Sequence, residues 1–274
     1  MVDMNGYTQH SRPELFALFS GTPTISFLGF SNSLMSEFMS GIATDAVASP
    51  PEHQQFYSEG MLLLPKTFYL ADHAHSWHTK ELLRPGAVPA YRKSQVGLQE
   101  SAFVFACFNQ PFKISPQVFE VWMRILHKVP GSQIWILKLN EGAAAEENLR
   151  LEATRHGIDP DKRLFFTGSA ALEDHVAYKS AADLLLDTDL YNAHSTAADA
   201  LFAGVPMITL AGSRMASRIA SSIANGVGMK QLMVARNLQE YEQITLKLAL
   251  NPFLLAKAKR QLVCLSLRFI ASPP

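Results

Sequence analysis

The residues whose types and spacing are best suited to chemistry lie in the stretch His194-Ser-Thr-Ala-Ala-Asp199-Ala-Leu-Phe-Ala-Gly204-Val-Pro206. Short apolar runs at 182–186 before it and 206–210 after it suit buried parallel strands. Between them, Thr196 followed three residues later by Asp199 makes a capping-box pattern that opens a helix, and Gly204 closes it. A strand, a loop and a helix start in that order form an anion site, because the first helical turn leaves backbone N–H groups unpaired. His194, Ser195 and Thr196 crowd that end with side-chain donors. The chemistry expected there is the holding of a nucleotide diphosphate. Asp199 has a second role open to it, accepting a ribose hydroxyl, which does not exclude capping.

Other donors are expected wherever a strand ends on the same edge. Asn109, Gln110 and Lys113 follow the run at 102–106, with Lys113 in a strand-to-helix loop facing the expected phosphate site. Residues 170–175, 187–194 and 212–214 hold the corresponding positions after other strands. His175 reads either as a neutral imidazole at a helix start or as a partly buried histidine on a helix face. Asp187-Thr-Asp189 resembles a DxD pair holding Mg²⁺ or Mn²⁺ against a diphosphate. The helix end and Lys113 already supply positive character, so the preferred reading has no metal. Asp72-His73-Ala-His75-Ser-Trp-His78 groups three histidines without an i, i+4 pair or an obvious fourth ligand, and reads as a polar surface loop.

Regular elements must position these groups. Strand-like runs at 102–106, 132–137, 163–167, 182–186 and 206–210 alternate with helical patterns at 115–126, 146–157, 172–179, 195–203, 214–224, 238–250 and 252–269. That alternation predicts an α/β, Rossmann-like lobe, a parallel sheet with helices on both faces. Ligands on such sheets bind beyond the carboxyl ends of the strands. The first part is sparser, with strands expected at 24–28, 41–45 and 61–64 and short helices at 12–18 and 49–57. Pro85, Gly86 and Pro89 break all periodicity and mark a linker, dividing the chain into 1–98, a partial lobe, and 99–274, a nearly complete one.

The totals narrow the partners. Twenty-four basic and twenty-four acidic residues cancel, which gives no reason to expect nucleic acid or an anionic membrane. Two distant cysteines, Cys107 and Cys264, fit a reducing compartment, and with no visible signal peptide a cytoplasmic or nuclear location is expected.

Four stretches together resemble the catalytic region of the protein O-linked N-acetylglucosamine transferases. They are Phe108-Asn-Gln-Pro-Phe-Lys113-Ile-Ser-Pro, Leu186-Asp-Thr188, His194-Ser-Thr-Ala-Ala-Asp199 through Thr209, and Ala216-Ser-Arg218. Asp3-Met-Asn-Gly-Tyr-Thr8, Leu28-Gly-Phe30 and Ile42-Ala-Thr-Asp45 are similar to the end of that family's first lobe. The SPINDLY-type O-fucosyltransferases share the outline but lack the counterpart of His194.

The resemblance implies a two-lobed GT-B fold and metal-independent, inverting transfer of N-acetylglucosamine from UDP-GlcNAc to Ser or Thr hydroxyls, with no cofactor. It implies that Gln110 and Lys113 hold the diphosphate, with Lys113 stabilising the departing UDP. Asn109 would lie beside them, Ala170 (backbone) and His175 near the uracil, and His194, Ser195, Thr196 and Asp199 at the phosphates and ribose. Partners would be a UDP-sugar and Ser/Thr-containing proteins. A repeat-containing segment or second chain would supply the tetratricopeptide repeats and the opening of the first lobe, with its catalytic histidine, neither of which is seen here. Gly29-Phe-Ser-Asn-Ser-Leu34 replaces a family loop, and Leu172 stands where a donor-contacting lysine is usual. The alternatives are a UDP-sugar-binding module with little turnover and fucosyltransferase-like donor use.

Overall fold

The computed structural model describes residues 1–19, 21–71, 91–138, 143–168 and 174–271. Its first sheet has four strands, β1 (Val2–Asp3), β2 (Ile25–Phe27), β3 (Gly41–Asp45) and β4 (Gly60–Leu64), side by side in chain order and all parallel. At Gly29, just past β2, an added Cβ would lie 1.9 Å from the Met4 carbonyl oxygen, so only glycine fits this crossing. The helices expected at 12–18 and 49–57 are 3₁₀ turns instead, Pro13–Leu18 and Pro51–Phe56. Neither has a capping side chain, and neither is long enough to propagate an α-helix.

The second sheet has six parallel strands: β5 (Val104–Cys107), β6 (Gln133–Leu137), β7 (Leu164–Thr167), β8 (Leu184–Leu186), β9 (Met207–Leu210) and β10 (Val234–Ala235). Their order across the sheet is β10-β9-β8-β5-β6-β7. The chain therefore builds outward from β5 in one direction, returns, and builds outward from β8 in the other. Between β5 and β8 the connections diverge to opposite sides, leaving a crevice at the strands' carboxyl ends.

Helices α1 (Pro116–Lys128), α2 (Ala143–Arg155), α3 (Pro160–Arg163), α4 (Ser195–Phe202), α5 (Ile219–Gly226), α6 (Lys230–Met233), α7 (Leu238–Ala249) and α8 (Pro252–Ala271) accompany this sheet. In α1 the Ser115 hydroxyl accepts the Val118 N–H at 3.1 Å and Pro116 occupies the first position, as expected. Its apolar stripe, Val118, Val121, Trp122 and Ile125, is fully buried with the β5 and β6 side chains. Ile42, Ala48 and Phe68 of the first part join that same apolar cluster.

The helix expected at 214–224 is broken into a 3₁₀ turn at Met215–Ser217 and then α5, because the Ser217 carbonyl accepts the Gly212 N–H at 3.0 Å instead of continuing a helix. Arg218, at the break, donates to Val47 O (2.7 Å) in the first part and to Gly212 O (2.8 Å) in the second. Asn225 Nδ2 to Lys66 O (3.0 Å) adds a second tie. Of the short helix expected at 172–179, the described part is a 3₁₀ turn at Ala177–Ala181. The short elements α3, α6 and β10 match no expected element, being too short to show a period.

Candidate functional site

The loop after β5 and the loop after β8 flank the crevice, and the residues expected to do chemistry converge there. Lys113 ends a 3₁₀ turn, Pro111–Lys113, that follows β5. Its ammonium lies 4.0 Å from the centre of the Tyr191 ring, a cation–π contact. Tyr191 in turn stacks on His194, with ring centres 4.9 Å apart and planes at 29°. Lys113, Tyr191 and His194 therefore form one continuous surface across the crevice. Burial lowers the Lys113 pKa, opposed by the field of Asp187. Burial lowers that of His194 to about 4, and the neighbouring Lys113 charge adds to the effect. His194 is thus neutral near pH 7. Its Nε2 lies 3.3 Å from Ala216 O and its Nδ1 3.4 Å from the Ser31 hydroxyl of the first part.

His194 is the residue preceding α4, and its carbonyl accepts the Ala197 and Ala198 N–H groups. The N–H groups of Ser195 and Thr196 lie in the first turn, where helix geometry supplies no acceptor. Gly204, at φ 79°, closes the helix as expected. The expected capping box is absent. The helix begins two residues earlier than that pattern requires, and Asp199 faces away from its own first turn, toward Lys179 and His175. Tyr69, also from the first part, packs with its ring centre 6.4 Å from that of His194, and the Ser195 side chain opposes the rise that burial causes in its pKa.

Behind the phosphate side stands a polar network. Asn109 Nδ2 donates to Asp187 Oδ1 (2.9 Å) and Thr188 Oγ1 (2.7 Å), while its Oδ1 accepts the Thr196 hydroxyl (3.0 Å). Asp187 also accepts from the Thr188 and Ala193 N–H groups and the Thr209 hydroxyl. Burial nevertheless raises its pKa to about 6. Asp189 accepts the Ser115 hydroxyl at 2.9 Å. The two carboxylates of the DxD sequence are thus held apart in separate networks. Among the described residues no group of three or more His, Cys, Asp or Glu side chains is placed to hold a metal ion.

On the other side of β5, His175 precedes the 3₁₀ turn and lies 3.2 Å from Asp199 Oδ2, not on an α-helix. Gln110 is exposed just before Lys113. Ala170, Leu172 and the histidines 73, 75 and 78 lie outside the described residues. Lys179, which sequence reasoning missed, is buried between His175 and Asp199. The available signal was a lone cation four residues after His175 in an otherwise small and apolar run. Tyr69 and Ser31 gave no such signal, since their partners at the start of α4 lie in a distant part of the chain, 163 positions away in the case of Ser31.

Two parallel α/β sheets, with a donor-rich crevice at the strand-order reversal of the second, define a GT-B-type glycosyltransferase architecture. The chain belongs to glycosyl transferase family 41, whose model matches residues 1–84 and 80–268. It is 36% identical over 251 residues to the Arabidopsis thaliana protein named probable UDP-N-acetylglucosamine–peptide N-acetylglucosaminyltransferase SEC, covering 92% of this chain and 25% of that protein. It is 27% identical to the Caenorhabditis elegans UDP-N-acetylglucosamine–peptide N-acetylglucosaminyltransferase, covering 90% and 30% of the two chains. The chain thus spans about a quarter to a third of the length of these relatives. A solved O-GlcNAc transferase mutant of Thermobaculum terrenum has the same fold, with a TM-score of 0.84 at 24% identity over 99% of this chain and 49% of that one. Anabaena HepE in complex with UDP follows at a TM-score of 0.60 and 15% identity, covering 92% and 70%. No helix among the described residues is long and apolar enough to cross a membrane.

Proposed function

We propose that this chain is the donor-binding part of a protein O-GlcNAc transferase catalytic region, which takes UDP-GlcNAc and transfers its sugar to Ser or Thr hydroxyls. The observation that carries the reading is the Lys113–Tyr191–His194 surface beside the first turn of α4, in a chain of this family. In this reading Lys113 exchanges its ring contact for the donor diphosphate and neutralises charge that builds on the departing UDP. That interaction strengthens in the transition state, where the leaving group gains charge. The Ser195 and Thr196 N–H groups and hydroxyls hold phosphate oxygens, and Asn109 fixes the Thr196 hydroxyl. Neutral His194 contributes a hydrogen bond rather than a charge. Gln110, exposed beside Lys113, reaches the same diphosphate, and Asp199 meets the ribose.

The reaction is inverting, a direct displacement at the sugar's anomeric carbon by the acceptor hydroxyl. It is independent of metal, because Lys113 and the helix end serve where a cation otherwise would and Asp187 is already saturated by four hydrogen-bond donors. Protein acceptors and a repeat-bearing segment or partner that recruits them belong to the same proposal, as does a cytoplasmic or nuclear location. The test is turnover of UDP-GlcNAc onto a Ser/Thr peptide, with and without a chelator. Transfer unaffected by chelation supports the reading. Chelator-sensitive transfer overturns the metal-free mechanism, and UDP binding without any transfer assigns the chain as a nucleotide-sugar-binding module.

A further inference from the structure

A recess of about 470 Å³ lies where the loop after β3 meets α5, α6 and β10, and none of its lining residues belongs to the crevice described above. Its size is that of a small-molecule pocket. Val47 and Val234 give it apolar walls, while Arg218, Lys230 and Arg236 line it with no carboxylate among the lining residues. The carboxylates nearby are already engaged. Asp45 accepts the Val47, Ala48 and Phe68 N–H groups and the Ser222 hydroxyl, and Glu240 is held by Arg236. Glu52 acts on Arg218 through space. Arg218 and Lys230 therefore line the recess without an ion-pair partner among the described residues. The Arg218 guanidinium is also fixed in place, because its Nε donates to Val47 O and its Nη1 to Gly212 O, which leaves the Nη2 edge for another acceptor. The third polar group is Ser221. Its side chain is wholly buried, yet among the described residues its hydroxyl has no hydrogen-bond partner. A buried hydroxyl left unpaired in a cavity wall marks a place where something from outside the fold completes it.

We propose that this recess is a second ligand site, which takes a small-molecule phosphate monoester and holds its phosphate with Arg218, Lys230 and Ser221. Three donors of different kinds, a guanidinium edge, an ammonium and a hydroxyl, match the three terminal oxygens of a phosphate monoester, whereas a carboxylate offers two. A bare phosphate would leave most of the recess empty, and the apolar walls at Val47 and Val234 suit the organic body of the ester. The site joins the two parts of the chain, since Val47 belongs to the first and the other lining residues to the second. It is independent of the donor reading, because it uses none of the same side chains.

Phenyl phosphate is the probe, titrated calorimetrically into the Lys113→Met protein, whose crevice lacks the ammonium that would compete for a phosphate. That protein is expected to bind phenyl phosphate and not phenol. Adding Ser221→Ala or Lys230→Ala to it should weaken the binding about tenfold in each case. Lys230 is exposed, and Ser221→Ala removes a hydroxyl that has no partner, so neither change costs the fold a contact. Failure of the Lys113→Met protein to bind phenyl phosphate overturns the proposal. So does equal affinity of that protein and both double variants, because the phosphate would then lie elsewhere. Phenol bound as tightly as phenyl phosphate would overturn the phosphate assignment. None of these results depends on whether the chain binds UDP.

Discussion

Two lysines flank the point where the strand order reverses, and they are in opposite states. Lys179 is fully buried with every ammonium donor engaged. Lys113 is half-buried over the Tyr191 ring and forms no ion pair among the described residues. Burial lowers the pKa of both, but a hydrogen-bonded carboxylate opposes the shift at Lys179, while at Lys113 it is opposed through space alone, chiefly by Asp187. A cation whose acceptors are already in the fold holds the site together. One left desolvated without them gains most from an arriving anion. The same contrast separates the two networks around the crevice, the saturated His175–Lys179–Asp199 group and the open Lys113–Tyr191–His194 surface.

The sharpest way to break this comparison is to replace each lysine with methionine. Lys179→Met leaves Asp199 buried beside a lost partner and is expected to destabilise the fold by about 3–5 kcal/mol. Lys113→Met, which removes no ion pair, should change stability by less than about 1 kcal/mol. Urea midpoints read both, and equal losses would erase the distinction. Activity should reverse the ranking for Lys113, with Lys113→Met lowering peptide glycosylation about 10²–10³-fold while the protein stays folded. Transfer at the parent rate would remove the leaving-group role.

A third expectation concerns pH. In folded protein His194 sits at about 4, below the 6.5 of an exposed imidazole. Between those values the unfolded chain binds more protons, so this group's stability contribution is complete above the window and is lost as pH falls through it. His194→Asn deletes that term, and the variant should gain on the parent by on the order of 3 kcal/mol as pH falls across the window. Asp187 has the opposite sign. Its value rises from 3.8 to about 6, so its contribution is lost as pH rises between them. A His194→Asn difference that does not change with pH would mean that the ring is not desolvated. A comparably small effect is expected at Tyr191→Leu, which removes the same cation–π contact as Lys113→Met and should cost about 0.5–1 kcal/mol of stability, read from the urea midpoint.

The sequence made the open surface legible and hid the closed one, for a physical reason. Lys113, His194 and Thr196 follow strands that announce themselves as apolar runs, and strand ends are where ligands bind in such folds. The Ser115 and Pro116 start of α1 and the Gly204 end of α4 were equally plain, since capping is local chemistry. Only the capping role expected of Asp199 fails: a carboxylate three residues after Thr196 satisfies a local pattern, yet a buried ammonium from another element claims it. Tyr69 and Ser31 reach the site only through docking of the first part on the second, which no short-range spacing encodes.

The most direct test of the central claim is calorimetric titration of UDP and of uridine into the parent and Lys113→Met proteins. The account predicts that the parent binds UDP, that Lys113→Met weakens UDP at least about tenfold, and that uridine binds both proteins alike. Equal affinity of the two proteins for UDP would contradict it, because the diphosphate would then lie away from Lys113.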